Sequence, residues 1–307
     1  MDNRQLKYFC AVYENRNLSH AAQRCNIAQS AISTHISNLE SELGVALFVR
    51  QARGMEPTIA GTRLYEHAKA ILRSVEAAAQ DVRQMSDLGV GEIDFGLSHT
   101  VIDAIGLNLI LRIKESFPRA DVVIHEGLSS ELFRQISGGD LDFVLCYNAP
   151  KSADLHATFV LQEELCCIGR AEFFEDDTGP LSFEEILKLP QILLRRGAAS
   201  RSIITHGRYL RRLRENASLE VNSVLVVQKA LLAGVGVAIC PIVTVRDLVE
   251  SKELVARHII GMPLTRELSL IRQAGRLPTA LMESLSKITM EVIAEEVAAG
   301  AWPIIRE

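Results

Sequence analysis

Between Gln29 and Asn38, seven of ten residues carry uncharged hydrogen-bonding side chains: Gln29, Ser30, Ser33, Thr34, His35, Ser37 and Asn38. On a helical repeat, Ile27, Ile32, Ile36, Leu39 and Leu43 form the opposite, apolar stripe, which predicts a helix from about Gln29 to Glu42. Amides and hydroxyls both donate and accept. Base edges in the major groove do the same, whereas a carboxylate there would be repelled by phosphate. The acidic residues Glu40 and Glu42 come only after the first three turns. The competing reading is the solvated face of an ordinary helix.

The neighbouring elements favour the nucleic-acid reading. Residues 3–15 carry Leu6, Phe9, Cys10 and Tyr13 at helical spacing. The chain restarts at Leu18–Ser19, with Ser19 expected as the N-cap, and Ala21, Ala22 and Cys25 give a short helix with no bulky packing residue. Such a helix lets another cross it closely. Asn26 tolerates a left-handed backbone and can turn the chain between the two helices. Helix, tight turn and second helix make a helix-turn-helix. The run VALFVRQARGMEPT then predicts a small hairpin with Arg50 and Arg53 near its tip, a basic wing for phosphate contacts, with Arg53 also suited to a minor groove.

Thr58 is expected to cap a helix reaching about Asp87, along which Leu64, Ala68, Ile71, Val75, Ala78, Val82 and Met85 alternate steps of four and three. That is a coiled-coil seam and predicts at least a dimer; the alternative is a long helix packed on its own domain. From Gly91 short β runs alternate with amphipathic helices, so an α/β fold with a mostly parallel sheet is expected. The predicted architecture has four parts: a winged helix-turn-helix (1–58), a linker helix (59–88), and two α/β lobes, one over 89–161 plus 265–300, the other over 162–264. Two lobes joined by crossing strands leave a ligand cleft.

Candidate effector residues sit where strands meet helices. Ser98, His99 and Thr100 follow the first strand of this part, and Ser129 follows the second. Arg195, Arg196, Ser200 and Arg201 lie between a strand and a helix in the other lobe. Hydroxyls, helix-terminal N–H groups and guanidinium together suit an anion, which predicts a small carboxylate or amino-acid-related metabolite. Two plainer readings stand beside this: the serines as helix caps, and the arginines as surface or interface groups.

Bulk properties narrow the function classes. At 307 residues with 48% hydrophobic content the chain suits two or three domains. The net charge of −5 is unevenly spread: residues 1–86 hold 10 Lys/Arg against 8 Asp/Glu, and the remainder 23 against 30. No secretory signal is visible at the start, and the apolar region Val224–Val245 is broken by Gln228, Lys229, Gly234, Gly236 and Pro241, so a cytoplasmic protein without membrane contact is expected. The six cysteines lack CxxC spacing and nearby His pairs, and read as reduced, mostly buried thiols without a metal. HExxH, GxSxG and P-loop motifs are absent, and GVGVAI has Ile239 where a dinucleotide fingerprint needs its third Gly. An enzyme is thus disfavoured. A transport-type solute-binding protein would fit the two lobes but not the N-terminal reader.

The first 60 residues resemble the LysR-type transcriptional regulators, and the rest follows that family's order of elements. The resemblance is carried by Leu6 with Phe9, Ala21–Ala22, Gln29-Ser30-Ala31-Ile32-Ser33, Leu39–Glu40 with Leu43–Gly44, Leu47–Phe48 with Arg50, and Thr58 with Gly61. It implies base contacts from Gln29, Ser30, Ser33 and His35 and backbone or minor-groove contacts from Arg50 and Arg53. Thr34 and Asn38 share the exposed face of that helix. It further implies a pseudo-palindromic promoter site, a dimer of dimers (a homotetramer), a cleft similar to that of periplasmic solute-binding proteins, and contact with RNA polymerase, with no cofactor besides the effector. The N-terminal part is similar to the nitrogen-assimilation-control subgroup. Two departures are Ala28, where the family often has a capping Ser, and Ser30, where it often has Pro.

Overall fold

The computed structural model describes residues 1–51, 54–84, 90–174, 179–194, 207–261 and 264–303. Three helices open the chain: α1 (Asn3–Asn15), α2 (Leu18–Arg24) and α3 (Gln29–Leu43). Leu6, Phe9, Val12, Ala21, Ala22, Ile32, Ile36 and Leu39 close into one core. Ala21 is fully buried, so the absence of a larger side chain is what lets α2 approach its neighbours. Asn26 has φ +54°, the left-handed turn expected of it. Two expectations need correction. The N-cap of α2 is Asn17, whose Oδ1 accepts from the N–H groups of Ser19 and His20 at 2.8 and 3.1 Å. Leu43 is 40% exposed, because the helix runs past the core in its last turn.

A two-stranded antiparallel wing follows, β1 (Phe48–Gln51) and β2 (Gly54–Pro57). Glu40 holds it against α3, its Oε1 accepting from Leu47 and Phe48 N–H at 2.7 and 3.1 Å. Thr58 then ties the wing to the linker helix α4 (Ile59–Gln84): its hydroxyl donates to Ala46 O at 2.8 Å and accepts from Gly61 N–H at 3.0 Å. Gly61 itself presses on the wing. A Cβ there would lie 2.2 Å from Leu47 O.

The seam along α4 divides in two. Ala68 is buried in the head core and Leu64 packs against it, so these two positions are spent within the chain rather than on a partner. Tyr65 beside them stacks on Tyr13 at 3.9 Å, which brings α4 across α1. Ile71, Val75, Ala78 and Val82 remain exposed, and Met85 lies outside the described residues.

Lobe I is built on a five-stranded sheet in the order β4-β3-β5-β14-β6, comprising β3 (Val90–Ser98), β4 (Arg119–Gly127), β5 (Phe143–Tyr147), β6 (Leu155–Glu164) and β14 (Thr265–Gln273). β3 runs parallel to β4 and β5, while β14 is antiparallel to both β5 and β6, so two of the four pairings are antiparallel and the sheet is mixed where a mostly parallel one is expected: β14 returns from lobe II in the opposite direction to its neighbours. Helices α5 (His99–Ser116) and α6 (Ser129–Ser137) alternate with the first strands, and the C-terminal α11 (Ala280–Ala298), capped by Thr279, packs on the sheet. The expected lobe boundary at residue 161 falls inside β6, which continues to Glu164 because its last residues pair with the start of β14.

Lobe II contains β7 (Cys166–Gly169), β8 (Leu181–Ser182), α7 (Phe183–Ile186), β9 (Gln191–Leu194), α8 (Gly207–Glu215), β10 (Ala217–Val221), α9 (Val224–Leu232), β11 (Ala238–Cys240), α10 (Arg246–Glu250), β12 (Val255–Arg257) and β13 (Ile259–Ile260). β11 and β12 flank β7 antiparallel, β10 pairs with β9 in parallel, and aliphatic clusters lie on either side of β7. All six cysteines are free, and burial pushes the thiols of Cys10, Cys166 and Cys240 up to about 12. Such thiols are poor nucleophiles at neutral pH.

The contact between Gly61 and Leu47 yields a test. Gly61→Ala should destabilise the head by about 2–3 kcal/mol through overpacking. Hydrogen exchange in urea would show lower protection over 3–57 with the lobes unchanged; equal protection would mean the helix start is not constrained by the wing.

Candidate nucleic-acid interface and effector cleft

α3 begins without a side-chain cap, since Ala28 at the N-cap position makes no such bond. Ala31 and Ile32 N–H donate to Ala28 O at 3.0 and 3.2 Å, so no side chain offsets the positive end of the helix dipole, which suits a phosphate. Gln29, Ser30, Thr34 and Asn38 are exposed along the same helix, and Ser33 is half-buried. Gln29 Oε1 accepts from Ser19 Oγ at 3.1 Å, which explains why Ser19 does not cap α2: its hydroxyl steadies the first reading side chain instead. Thr34 Oγ1 donates back to Ser30 O at 2.9 Å and keeps an acceptor free. His35 is half-buried against Tyr8, with ring centroids 4.9 Å apart, so it is oriented by packing.

The wing adds charge beside this helix. Arg50 is exposed on β1, and its Nη2 donates to Ser33 Oγ at 3.1 Å. Reading helix and wing thus share one hydrogen bond. Arg53 lies outside the described residues. Gly54, with φ +138°, brings the wing under α1, where a Cβ would lie 2.3 Å from Arg16 O.

Between the lobes lies a cavity of about 60 Å³, walled by Thr100 at the start of α5, Arg266 on β14, and mainly aliphatic residues of lobe II including Ile192, Leu194, Val227 and Ile239. Ser98 occupies the N-cap position of α5 but makes no cap hydrogen bond, and its buried Oγ has no partner among the described residues. The cap reading therefore fails for Ser98. Thr244 Oγ1, on the cavity wall, is likewise buried and unpartnered among the described residues. His99 and Ser129 are engaged elsewhere: His99 pairs with Glu126 of β4, and Ser129 Oγ accepts from Tyr147 N–H at 3.3 Å. Arg195, Arg196, Ser200 and Arg201 lie outside the described residues.

Arg266 is the residue that the sequence reading missed. It is 5% exposed, and its Nε donates to Glu163 Oε1 at 2.6 Å. Its guanidinium lies 3.5 Å from the centre of the Tyr147 ring, and Trp302 Nε1 donates to Glu163 Oε2 at 3.1 Å. Burial pushes the Tyr147 hydroxyl well above its ordinary range. A buried ion pair is weak evidence for stability, but it fixes a cation at the cavity wall. In TRELSLIRQ, Arg266 is one of three charged residues, with Glu267 and Arg272, so the sequence does not single it out.

Residues 3–62 match the bacterial regulatory helix-turn-helix protein, lysR family, and residues 86–293 match the LysR substrate binding domain. The nitrogen assimilation regulatory protein nac of Escherichia coli (strain K12) is 29% identical over 301 residues, 97% of each chain. A full-length OxyR variant from Pseudomonas aeruginosa shares the fold at TM-score 0.68 and 19% identity, over 95% of this chain and 94% of that one. Full-length CbnR in complex with its target DNA does so at TM-score 0.61 and 21% identity, over 96% of this chain and all of that one. With an uncapped, polar reading helix beside a basic wing and two α/β lobes behind them, the chain belongs to the LysR family and is a DNA-binding transcriptional regulator, not an enzyme.

Proposed function

We propose that the protein reads a pseudo-palindromic promoter site as a homodimer that associates further into a homotetramer, and that a small anionic metabolite held between the lobes regulates it. The observation that carries the DNA reading is the exposed face of Gln29, Ser30, Thr34 and Asn38 joined through Ser33 to Arg50. Side chains on α3 supply base readout, and Arg50 with the α3 N-terminus supplies phosphate contact.

Two apolar surfaces support the assembly. Ile71, Val75 and Ala78 line a groove of about 960 Å³ between α4 and lobe I. Leu107 and Leu111 on α5 are 72% and 59% exposed beside the edge strand β4. One surface pairs two heads and the other joins two dimers, and the tetramer so placed on bent DNA meets RNA polymerase.

The effector reading rests on the cavity's chemistry. Aliphatic walls, the Arg266 guanidinium and the unpartnered hydroxyl of Thr244, with the buried unpartnered hydroxyl of Ser98 two residues before the wall residue Thr100, suit a small carboxylate with a short apolar body, such as an amino-acid-related metabolite. Unsatisfied buried hydroxyls favour a ligand that supplies their partners.

Three outcomes test these assignments. In selection from a randomised duplex pool, Gln29→Ala and Ser33→Ala should each relax one base position at a cost of about 1–3 kcal/mol, whereas Arg50→Ala should weaken all sequences and lower the salt slope by about one. Unchanged base preference in both α3 variants would move the readout off this helix. In sedimentation, Val75→Asp should yield monomers and Leu111→Asp should stop assembly at dimers; a wild-type mass in either would reject that surface. Calorimetry with a panel of small carboxylates should show about tenfold weaker binding after Thr100→Val or Ser98→Ala, and equal affinity in both would remove these hydroxyls from the site.

A further inference from the structure

The linker helix touches more than the head. Lys69 and Arg73 stand one turn apart on α4 and converge on one carboxylate of lobe I, Asp140: Lys69 Nζ is ion-paired with Asp140 Oδ1, and Arg73 Nη2 lies 3.8 Å from the same oxygen. Arg73 also faces the charges of Asp142, Asp94 and Glu92, with Arg276 as the opposing cation. Next to Asp140, Gly139 has φ +73° and fits against the helix backbone, where a Cβ would come within 3.3 Å of Ala70 Cα and 3.4 Å of its N. Charge and shape therefore meet at the same turn.

That turn, between α6 and β5, is pinned to the lobe I sheet. Asp142 N–H donates to Asp94 O at 2.7 Å, Asp94 N–H donates to Asp142 Oδ2 at 2.8 Å, and Arg276 Nη2 donates to Asp142 Oδ1. Gln273 Nε2, at the end of β14, donates to Ser137 O at 3.3 Å. On the other side, Lys69 Nζ lies 5.6 Å from the Tyr65 ring, and Tyr65 stacks on Tyr13 and donates to Glu14 Oε1 at 3.0 Å. An unbroken run of contacts thus leads from the lobe I sheet to α1. The strand β14 also carries Arg266, so the cleft and this turn border one rigid strand seven residues apart, roughly 23 Å.

We propose that Asp140 and Gly139 are positioning residues for DNA binding: they clamp α4 to lobe I, so that head and lobe move as one body and the spacing of paired heads is set by the lobes. Neither residue touches DNA. Exposed ion pairs contribute little stability, so the clamp's effect is on orientation. The inference rests on the paired-head reading above, and its test separates the two.

The experiment uses the full chain with a duplex selected by the wild-type protein, the same duplex with about half a helical turn (about 5 base pairs) inserted between half-sites, and a single half-site. Wild type should lose about a hundredfold in affinity on insertion, and Asp140→Lys only about tenfold or less, because freely hinged heads tolerate misplacement. Half-site affinity should match wild type within about twofold. Lys69→Glu combined with Asp140→Lys should restore much of the discrimination, and Gly139→Val should mimic its loss without a charge change. Asp140→Asn serves if the lysine variant does not fold. Wild-type discrimination in folded Asp140→Lys and Gly139→Val would overturn the clamp, as would loss of half-site binding, which would indicate a role in folding the head. If wild type ignores the insertion, the paired-head reading fails. Hydrogen exchange over 66–76 without DNA then decides the clamp: faster exchange in the variants supports it, and equal exchange rejects it.

Discussion

One cylinder has only so much surface, and α4 divides its own among the head, lobe I and an exposed apolar stripe. Its first turns are consumed by the head, where Ala68 is fully buried and Tyr65 stacks on Tyr13. Its middle offers Lys69 and Arg73 to the acidic turn of lobe I. The remaining stripe of Ile71, Val75, Ala78 and Val82 faces outward. Because these faces belong to one rigid helix, a change in any contact reorients the others. This constraint explains why the wing is fastened to the first turn of α4 by Thr58 and by the bare backbone of Gly61, with no slack between them.

The reading unit was legible in the sequence because its signals are local. Helix periodicity, small residues at a crossing and a left-handed Asn all act within about ten residues. The structure keeps them at Ala21, Asn26 and the stripe Ile32–Ile36–Leu39. Where local rules failed, a tertiary contact had prevailed. Ser19 is a good cap by type, but Asn17 caps while Ser19 donates to Gln29. The repeat from Leu64 to Val82 reads as one continuous seam, yet its first two positions face the head, a fact fixed by aromatic residues on α1 fifty residues away. Periodicity reports that a face is apolar and says nothing of what covers it.

The cleft was legible only in outline, for a similar reason. Strand–helix junctions point to Thr100, which lines the cavity, since helix N-termini follow strand ends in α/β units. They could not mark Arg266, whose partner Glu163 lies about a hundred residues earlier on the neighbouring strand. A buried arginine becomes intelligible only when β6 and β14 are laid side by side, and Trp302 then completes the second oxygen of Glu163. Long-range pairing decides which charged residue of such a mixed strand points inward.

The placement of β14 carries a consequence for how ligand and DNA can communicate. A sheet strand changes length very little, so any shift imposed on Arg266 by a molecule in the cavity moves the strand as a body against its neighbours. Five strands resist that motion together, and the aliphatic core on the sheet's faces adds its own resistance. The softer response is rotation of lobe II, which joins lobe I's sheet through β6 and β14. If the proposed clamp holds, lobe I with its helix would be the fixed reference for the head, and lobe II the part that swings. Under the proposed reading, a molecule in the cavity would act by altering how lobe II meets a second copy of the chain, rather than by pushing a signal along α4.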